Sequence, residues 1–151
     1  MTQLVPLLAV LLTIPAQHSP AQDRAEQAMG FDQQRTTHHF GIEQTGGAIE
    51  VTAKDAADQA SIDDIRMHLR HIAVAFGKGD FALPMLVHDT KPPGIDTLKA
   101  RRAMMTLTFE QLPTGGRVVI RTSDEQARQA LHEFLRFQIR EHHTGDPIKN
   151  E

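Results

Sequence analysis

FGIEQTGGAIEVTAKD at residues 40–55 recurs without gaps as FEQLPTGGRVVIRTSD at residues 109–124. Both copies place Thr-Gly-Gly between two short segments, and a glycine pair is typical of a tight hairpin turn. After the turn, apolar residues alternate as Ile49 and Val51 in the first copy and as Val118 and Ile120 in the second. Alternation of this kind predicts strands with one buried face. Each copy is therefore predicted to be a β-hairpin.

A second shared block follows each hairpin. HLRHIAVAFGKGD at residues 68–80 matches FLRFQIREHHTGD at residues 134–146. Ile65, Leu69, Ile72 and Phe76 have the spacing of one buried helix face. Ser61 and Ser123 begin capping-box patterns, which predict that the two helices start there. The repeating unit is thus predicted to be strand, turn, strand, helix.

The duplication predicts an α+β fold in which one four-stranded antiparallel sheet carries two helices on one face. Its boundaries divide the chain into several parts. They are a signal peptide (1–21), a polar and loose leader (22–36), and a single domain (37–151) made of repeat one (37–80), a linker (81–103) and repeat two (104–146). A linker of this length is often functional.

The N-terminus has the features of a secretory signal. Its first 21 residues carry no charge, and residues 4–14 are almost entirely apolar. That run is shorter than the roughly 20 residues that a transmembrane helix needs. Small residues at Ser19 and Ala21 predict cleavage after Ala21. We therefore expect a periplasmic or secreted protein without stable membrane insertion after cleavage.

Composition narrows the function classes. The chain has no cysteine, which excludes thiolate metal sites and thiol catalysis. A net charge of −3 argues against general nucleic-acid binding. Tryptophan and tyrosine, which are favoured at interface hot spots, are both absent.

Histidine is the compositional outlier. The chain has nine histidines, and only His18 lies in the predicted signal peptide. His38 and His39 align with Leu107 and Thr108 of the second copy, whereas His68 and His71 align with Phe134 and Phe137. The histidines are therefore not part of the shared framework, as expected of a site added to a repeat.

The spacing of these histidines favours a metal site. His68 and His71 are three residues apart on the first predicted helix, so they share one flank. Met85 and His88 lie in the linker, and one of His38 and His39 can face the same site. The predicted ligands are His39, His68, His71 and His88, with Met85 as a soft ligand. Imidazole with thioether favours a copper ion, and zinc is the alternative.

Other functions stay open at this point. One histidine could be the axial ligand of a haem, or a general base in a small-molecule enzyme, although no catalytic signature favours an enzyme. The domain could instead bind a small molecule without catalysis or be a protein-interaction module, or the histidines could be structural or respond to pH. Metal buffering, delivery or sensing is the leading hypothesis, with another periplasmic protein as a further partner. The sequence leaves the oligomeric state open.

Several strings resemble a family of small exported bacterial proteins of uncertain function. These strings are MGFDQ (29–33), TTHHF (36–40), GDF (79–81), PPG (92–94), HEFLRFQI (132–139) and TGDP (144–147). Some relatives are labelled aspartate carbamoyltransferase, which implies a much larger enzyme with a Ser-Thr-Arg-Thr motif. This chain has neither that length nor that motif, so we reject the label. The resemblance implies no catalytic residues.

Overall fold

The two sequence copies form two β-hairpins that join into one sheet in the computed structural model, which describes residues 26–149. The predicted signal peptide lies outside the described residues. The strands are β1 (Thr36–Glu43), β2 (Gly46–Ala53), β3 (Met105–Leu112) and β4 (Gly115–Thr122). The helices are α1 (Gln59–Gly77), α2 (Ala82–His88), α3 (Ile95–Ala100) and α4 (Glu125–Glu141). The antiparallel strand order β1-β2-β4-β3 confirms the predicted α+β architecture.

The sheet has an approximate two-fold axis at its centre. β2 and β4 pair there with Ile49 opposite Val118, which occupy the same position in the two copies. The N–H of Ala53 donates to the Thr114 carbonyl at 2.8 Å, and the N–H of Thr122 donates to the Thr45 carbonyl at 3.0 Å. These two bonds are equivalent under the sequence repeat. The duplication is therefore a structural symmetry as well as a sequence pattern.

The sequence predicts that the glycine pairs form the hairpin turns. In the structure they lie instead where the two hairpins pair with each other. The turn residues are Gln44-Thr45 and Pro113-Thr114, whereas the glycines belong to the strands. A Cβ atom at Gly115 would overlap the carbonyl oxygen of Val51. Glycine is thus required because the two central strands approach closely at this point.

Each long helix packs against the hairpin of the other repeat. Helix α1 contacts β3 and β4, and helix α4 contacts β1 and β2. The guanidinium of Arg66 donates to the carbonyls of Leu112 (2.8 Å) and Gly115 (3.1 Å) at one turn. His132 occupies the equivalent helix position and is buried. Its Nε2 lies 3.0 Å and 2.9 Å from the equivalent carbonyls at the other turn, those of Glu43 and Gly46.

The first helix is capped three residues before the predicted position, and the second is capped one residue after it. Asp58, not Ser61, caps α1 by accepting a hydrogen bond from the Ser61 N–H. Asp124 caps α4 in the same way through the Ala127 N–H. An aspartate carboxylate satisfies helix N–H groups and also interacts favourably with the helix dipole.

The core lies between the sheet and the helices, and the leader contributes to it. Met29 and Phe31, which lie in the predicted leader, are buried. The linker contains α2 and α3. The apolar residues Ile95 and Leu98 of α3 are also buried. Within residues 26–149, no helix is long and apolar enough to cross a membrane.

Candidate functional site

Four histidines from four different elements surround one small cavity. We call this site the histidine pocket; its polar residues are His38 on β1, His68 on α1, His88 at the end of α2, and Gln138 and His142 at the end of α4. The cavity has a volume of about 60 Å³. The rest of its wall is apolar and consists of Met29, Phe40, Ile49, Val51, Leu69, Ile72, Phe76, Leu83, Pro84, Val87 and Phe134.

Local structure explains why these side chains face inward. His38 precedes the buried Phe40 by two residues, and residues two apart on a strand share a face. His142 follows the buried Ile139 by three residues, so it continues the inner face of α4. His88 is the last residue of the linker helix α2, and its Nε2 lies 2.9 Å from Oε1 of Gln138. The linker thus completes the pocket.

The imidazole rings are close neighbours. The ring centroids of His38 and His142 are 5.2 Å apart, with ring planes inclined by 24°. Those of His88 and His142 are 5.1 Å apart and nearly perpendicular. The ring centroids of His68 and Phe31 are 5.3 Å apart. Phe31 also stacks on His38, so it connects His68 to the other histidines.

Two polar nitrogens in the pocket have no hydrogen-bond partner among residues 26–149. Nε2 of His38 and Nε2 of Gln138 are buried and make no hydrogen bond to any residue that the structure describes. Buried polar groups in proteins are almost always hydrogen-bonded, because an unsatisfied one destabilises the fold. The pocket therefore has unused capacity to bind a polar ligand or an ion.

The pocket holds His38, His68 and His142 in the neutral form. Burial, together with neighbouring imidazoles, lowers the pKa of His38 and of His68 to about 4. For His142, burial is again the main cause, followed by the proximity of His38, His88 and His143, and the pKa falls to about 3. At neutral pH these three side chains carry free lone pairs and no charge.

The two-fold axis supplies an internal comparison. Its operation relates the histidine pocket to a second cavity of about 10 Å³, which Phe76, Leu107 and Phe134 line together with other apolar residues. These three residues align with His142, His38 and His68 respectively. Ile72, which aligns with Gln138, lines the histidine pocket itself. Three positions that carry histidine around one cavity are thus occupied by apolar residues of the other repeat around the second cavity.

The structure brings together only part of the ligand set that the sequence predicts. His68 and His88 line the pocket. His71 is exposed on α1, and Met85 packs partly buried against the core without lining the cavity. His39 points to the opposite face of the sheet, where its Nδ1 lies 2.8 Å from the carboxylate of Asp146. The full predicted set stays a prediction, with its members in four places.

Sequence reasoning missed His38, His142, Gln138 and Met29. Two signals could have found the polar residues. His38 has the same strand parity as Phe40, and both His142 and Gln138 replace apolar residues of the first copy. Met29 carries no such signal, because it lies outside the repeat.

The imidazoles do not form a finished metal site. Within residues 26–149, no group of three or more histidine, aspartate or glutamate side chains is arranged to hold a metal ion. The rings of His38 and His142 stack instead of pointing their nitrogens at one centre. The two rings can coordinate the same ion only if they rotate about their side-chain bonds. Such rotation is possible because the χ2 torsion of histidine has a broad range of accessible angles.

Similarity to known proteins does not assign a function to this pocket. No protein-family model matches the chain, and no curated protein or solved structure is similar to it. The resemblance to small exported bacterial proteins therefore stays an expectation.

Proposed function

We propose that the histidine pocket binds a transition-metal ion, with copper as the first candidate and zinc as the alternative. His38, His68, His88 and His142 are the proposed ligands. The observation that carries this proposal is the polar-for-apolar replacement across the two-fold axis. Burying imidazole and amide groups where the scaffold accepts phenylalanine, leucine and isoleucine costs stability, so a binding role is the simplest reason for them.

The protonation state supports a metal ligand over a general base. Metal ions bind neutral imidazole, and a low pKa keeps the ligand free of competing protons. A general base works best when its pKa lies near the operating pH. The pKa values of His38 and His68 at about 4, and of His142 at about 3, suit the first role and not the second.

The ring spacing of His38, His88 and His142 also suits a shared ion. With a metal–nitrogen distance of about 2.0 Å, tetrahedral imidazole ligands have ring centroids roughly 5 Å apart. The centroid separations of His142 from His38 and His88 are 5.2 Å and 5.1 Å. Binding would then need reorientation of the rings without large movement of the backbone.

The remaining wall favours copper. Met29 contributes a thioether to the pocket, and imidazole with thioether is a copper-binding combination. A cavity of about 60 Å³ has room for an ion and a few water-sized groups, so a haem would require the pocket to open widely. In an exported protein, such a site would serve copper buffering, delivery or sensing.

A copper titration against a competing chelator tests this proposal. We expect one copper ion per chain, and we expect the double variant His68→Phe, His142→Phe to lose more than about 100-fold in affinity, because it removes two ligands at once. The matched control is His39→Ala, His71→Ala, which alters the two exposed histidines of the sequence-predicted set and should keep wild-type affinity. Unchanged affinity in the first variant, or loss only in the control, would contradict the proposed ligands.

A further inference from the structure

The two edge strands of the sheet differ in how their outer backbone edges are protected. At the β1 edge, the carboxylate of Asp146 accepts a hydrogen bond from the N–H of Phe40 at 2.8 Å, and Phe40 is buried. The equivalent aspartate of the other repeat is Asp80, whose carboxylate instead accepts from the N–H of Ala82 at the start of α2. Every residue of β3 remains at least partly exposed. The sheet therefore has one capped edge and one open edge.

The open edge of β3 presents backbone groups that can pair with another strand. The N–H of Phe40 points away from β2, so the equivalent N–H of Phe109 points away from β4. The same holds for Leu107 and Gln111, because alternate residues of an antiparallel strand direct their backbone groups to the same side. β3 contains neither lysine nor proline, which commonly protect edge strands. It is thus a template for the addition of a strand.

We propose that β3 pairs antiparallel with β3 of a second copy of this chain, so that two four-stranded sheets join into one. The dimer axis passes beside Thr108, which faces Thr108 of the second copy. Leu107 then exchanges backbone hydrogen bonds with Phe109 of the second copy. Because the β1 edge is capped, the assembly closes at two copies and does not extend into a filament. This inference goes beyond metal binding and does not depend on it.

The sequence of β3 is complementary to itself in this register. The pairing extends over residues 105–111, almost the whole strand. Glu110 is the only charged residue of β3, and it lies opposite Thr106 of the second copy, so no like charges meet across the strand pair. On the face that the helices cover, Leu107 lies opposite Phe109, which is a favourable apolar pair. A second copy is therefore a fitting occupant of this edge.

Helix α1 adds contacts to the same interface. It packs on β3 and β4, and its Arg70 guanidinium lies 4.4 Å from the ring centroid of Phe109. Val74, one turn further along that flank, is 56% exposed, and Met104, just before β3, is 54% exposed. With strands about 4.8 Å apart, the two α1 helices of the dimer lie roughly 10 Å apart, a distance at which helices pack. Dimerisation thus gives these exposed apolar side chains a partner surface.

Sedimentation equilibrium of the purified protein tests this interface, with interference optics because the chain has neither tryptophan nor tyrosine. We expect the mass of two chains at micromolar concentration. Thr108→Glu and Thr108→Lys each place two like charges directly opposite each other across the axis. Each should raise the dimer dissociation constant at least about tenfold. An equimolar mixture of the two variants should restore the dimer, because opposite charges then face each other.

Two further variants keep the result interpretable, with far-UV circular dichroism as the check of folding. Thr37→Glu is the matched control on the capped strand β1 and should leave the dimer unchanged. Gln111→Pro removes one N–H from the open edge, where proline is tolerated, and should weaken the dimer without adding charge. If the Thr108 variants do not fold, an unchanged dimer in Gln111→Pro overturns the inference. A monomeric wild-type protein, folded Thr108 variants that dimerise like wild type, or a mixture that stays monomeric would also overturn it.

Discussion

Lowering the pH from 7 to 5 is expected to destabilise the metal-free protein by on the order of 4 kcal/mol. The native pKa values of His38 and His68 are about 4 and that of His142 is about 3, whereas an unfolded chain protonates histidine near 6.5. Below pH 6.5 the unfolded state therefore binds more protons than the native state. Stability is complete above that pH and is lost as the pH falls toward 4.

Urea unfolding at a series of pH values measures this effect. The chain has neither tryptophan nor tyrosine, so far-UV circular dichroism is the suitable signal. Most carboxylates titrate near pH 4 or below, which separates their contribution from that of the histidines. An unfolding free energy that stays constant between pH 7 and pH 5 would show that these histidines are not buried in neutral form.

The metal-free double variant His68→Phe, His142→Phe should be more stable than the wild-type protein, by about 2 kcal/mol at pH 7. Both substitutions introduce the residue type that the other repeat has at the equivalent position. The neighbouring cavity of about 60 Å³ provides space for the larger rings. The same variant should lose most of its sensitivity to acid, because two of the three low-pKa histidines are gone.

Denaturation at pH 7 and pH 5 compares the variants directly. His71→Phe, His143→Phe is the matched control, because both residues are exposed and each lies near a pocket histidine. It should neither stabilise the protein nor change the pH dependence. The pocket variant could instead be less stable than wild type and keep the wild-type pH dependence. In that case the histidines would be ordinary core residues, and the claim that they lower stability in order to bind a ligand would be refuted.

The architecture could be predicted from the sequence because the repeat encodes it twice. Alternation at Ile49 and Val51 and the helical stripe through Leu69 are local patterns, and local patterns determine element type and buried face. The packing of each long helix against the hairpin of the other repeat is not a local feature. The contacts of Arg66 and His132 with the opposite turns join residues 46 to 89 positions apart, so no spacing along the chain reveals them.

The site was harder to predict for the same reason. His68 and His71 look like a chelating pair, yet the helix turns His71 into solvent while His68 faces the pocket. His39 and His38 are adjacent, and only strand parity relative to Phe40 separates the outer face from the inner one. The other pocket histidines, on α2 and α4, are brought there by tertiary packing, which sequence spacing does not report.

Nitrogen-15 NMR of the histidine rings during titration with Cu⁺, which is diamagnetic, tests the central claim most directly. The account predicts that one equivalent shifts the ring nitrogens of His38, His68, His88 and His142 together. The exposed His39, His71 and His143 should keep their metal-free signals. If the shifts appeared at His39 and His71, or if no pocket imidazole responded, the histidine pocket would not be the metal site.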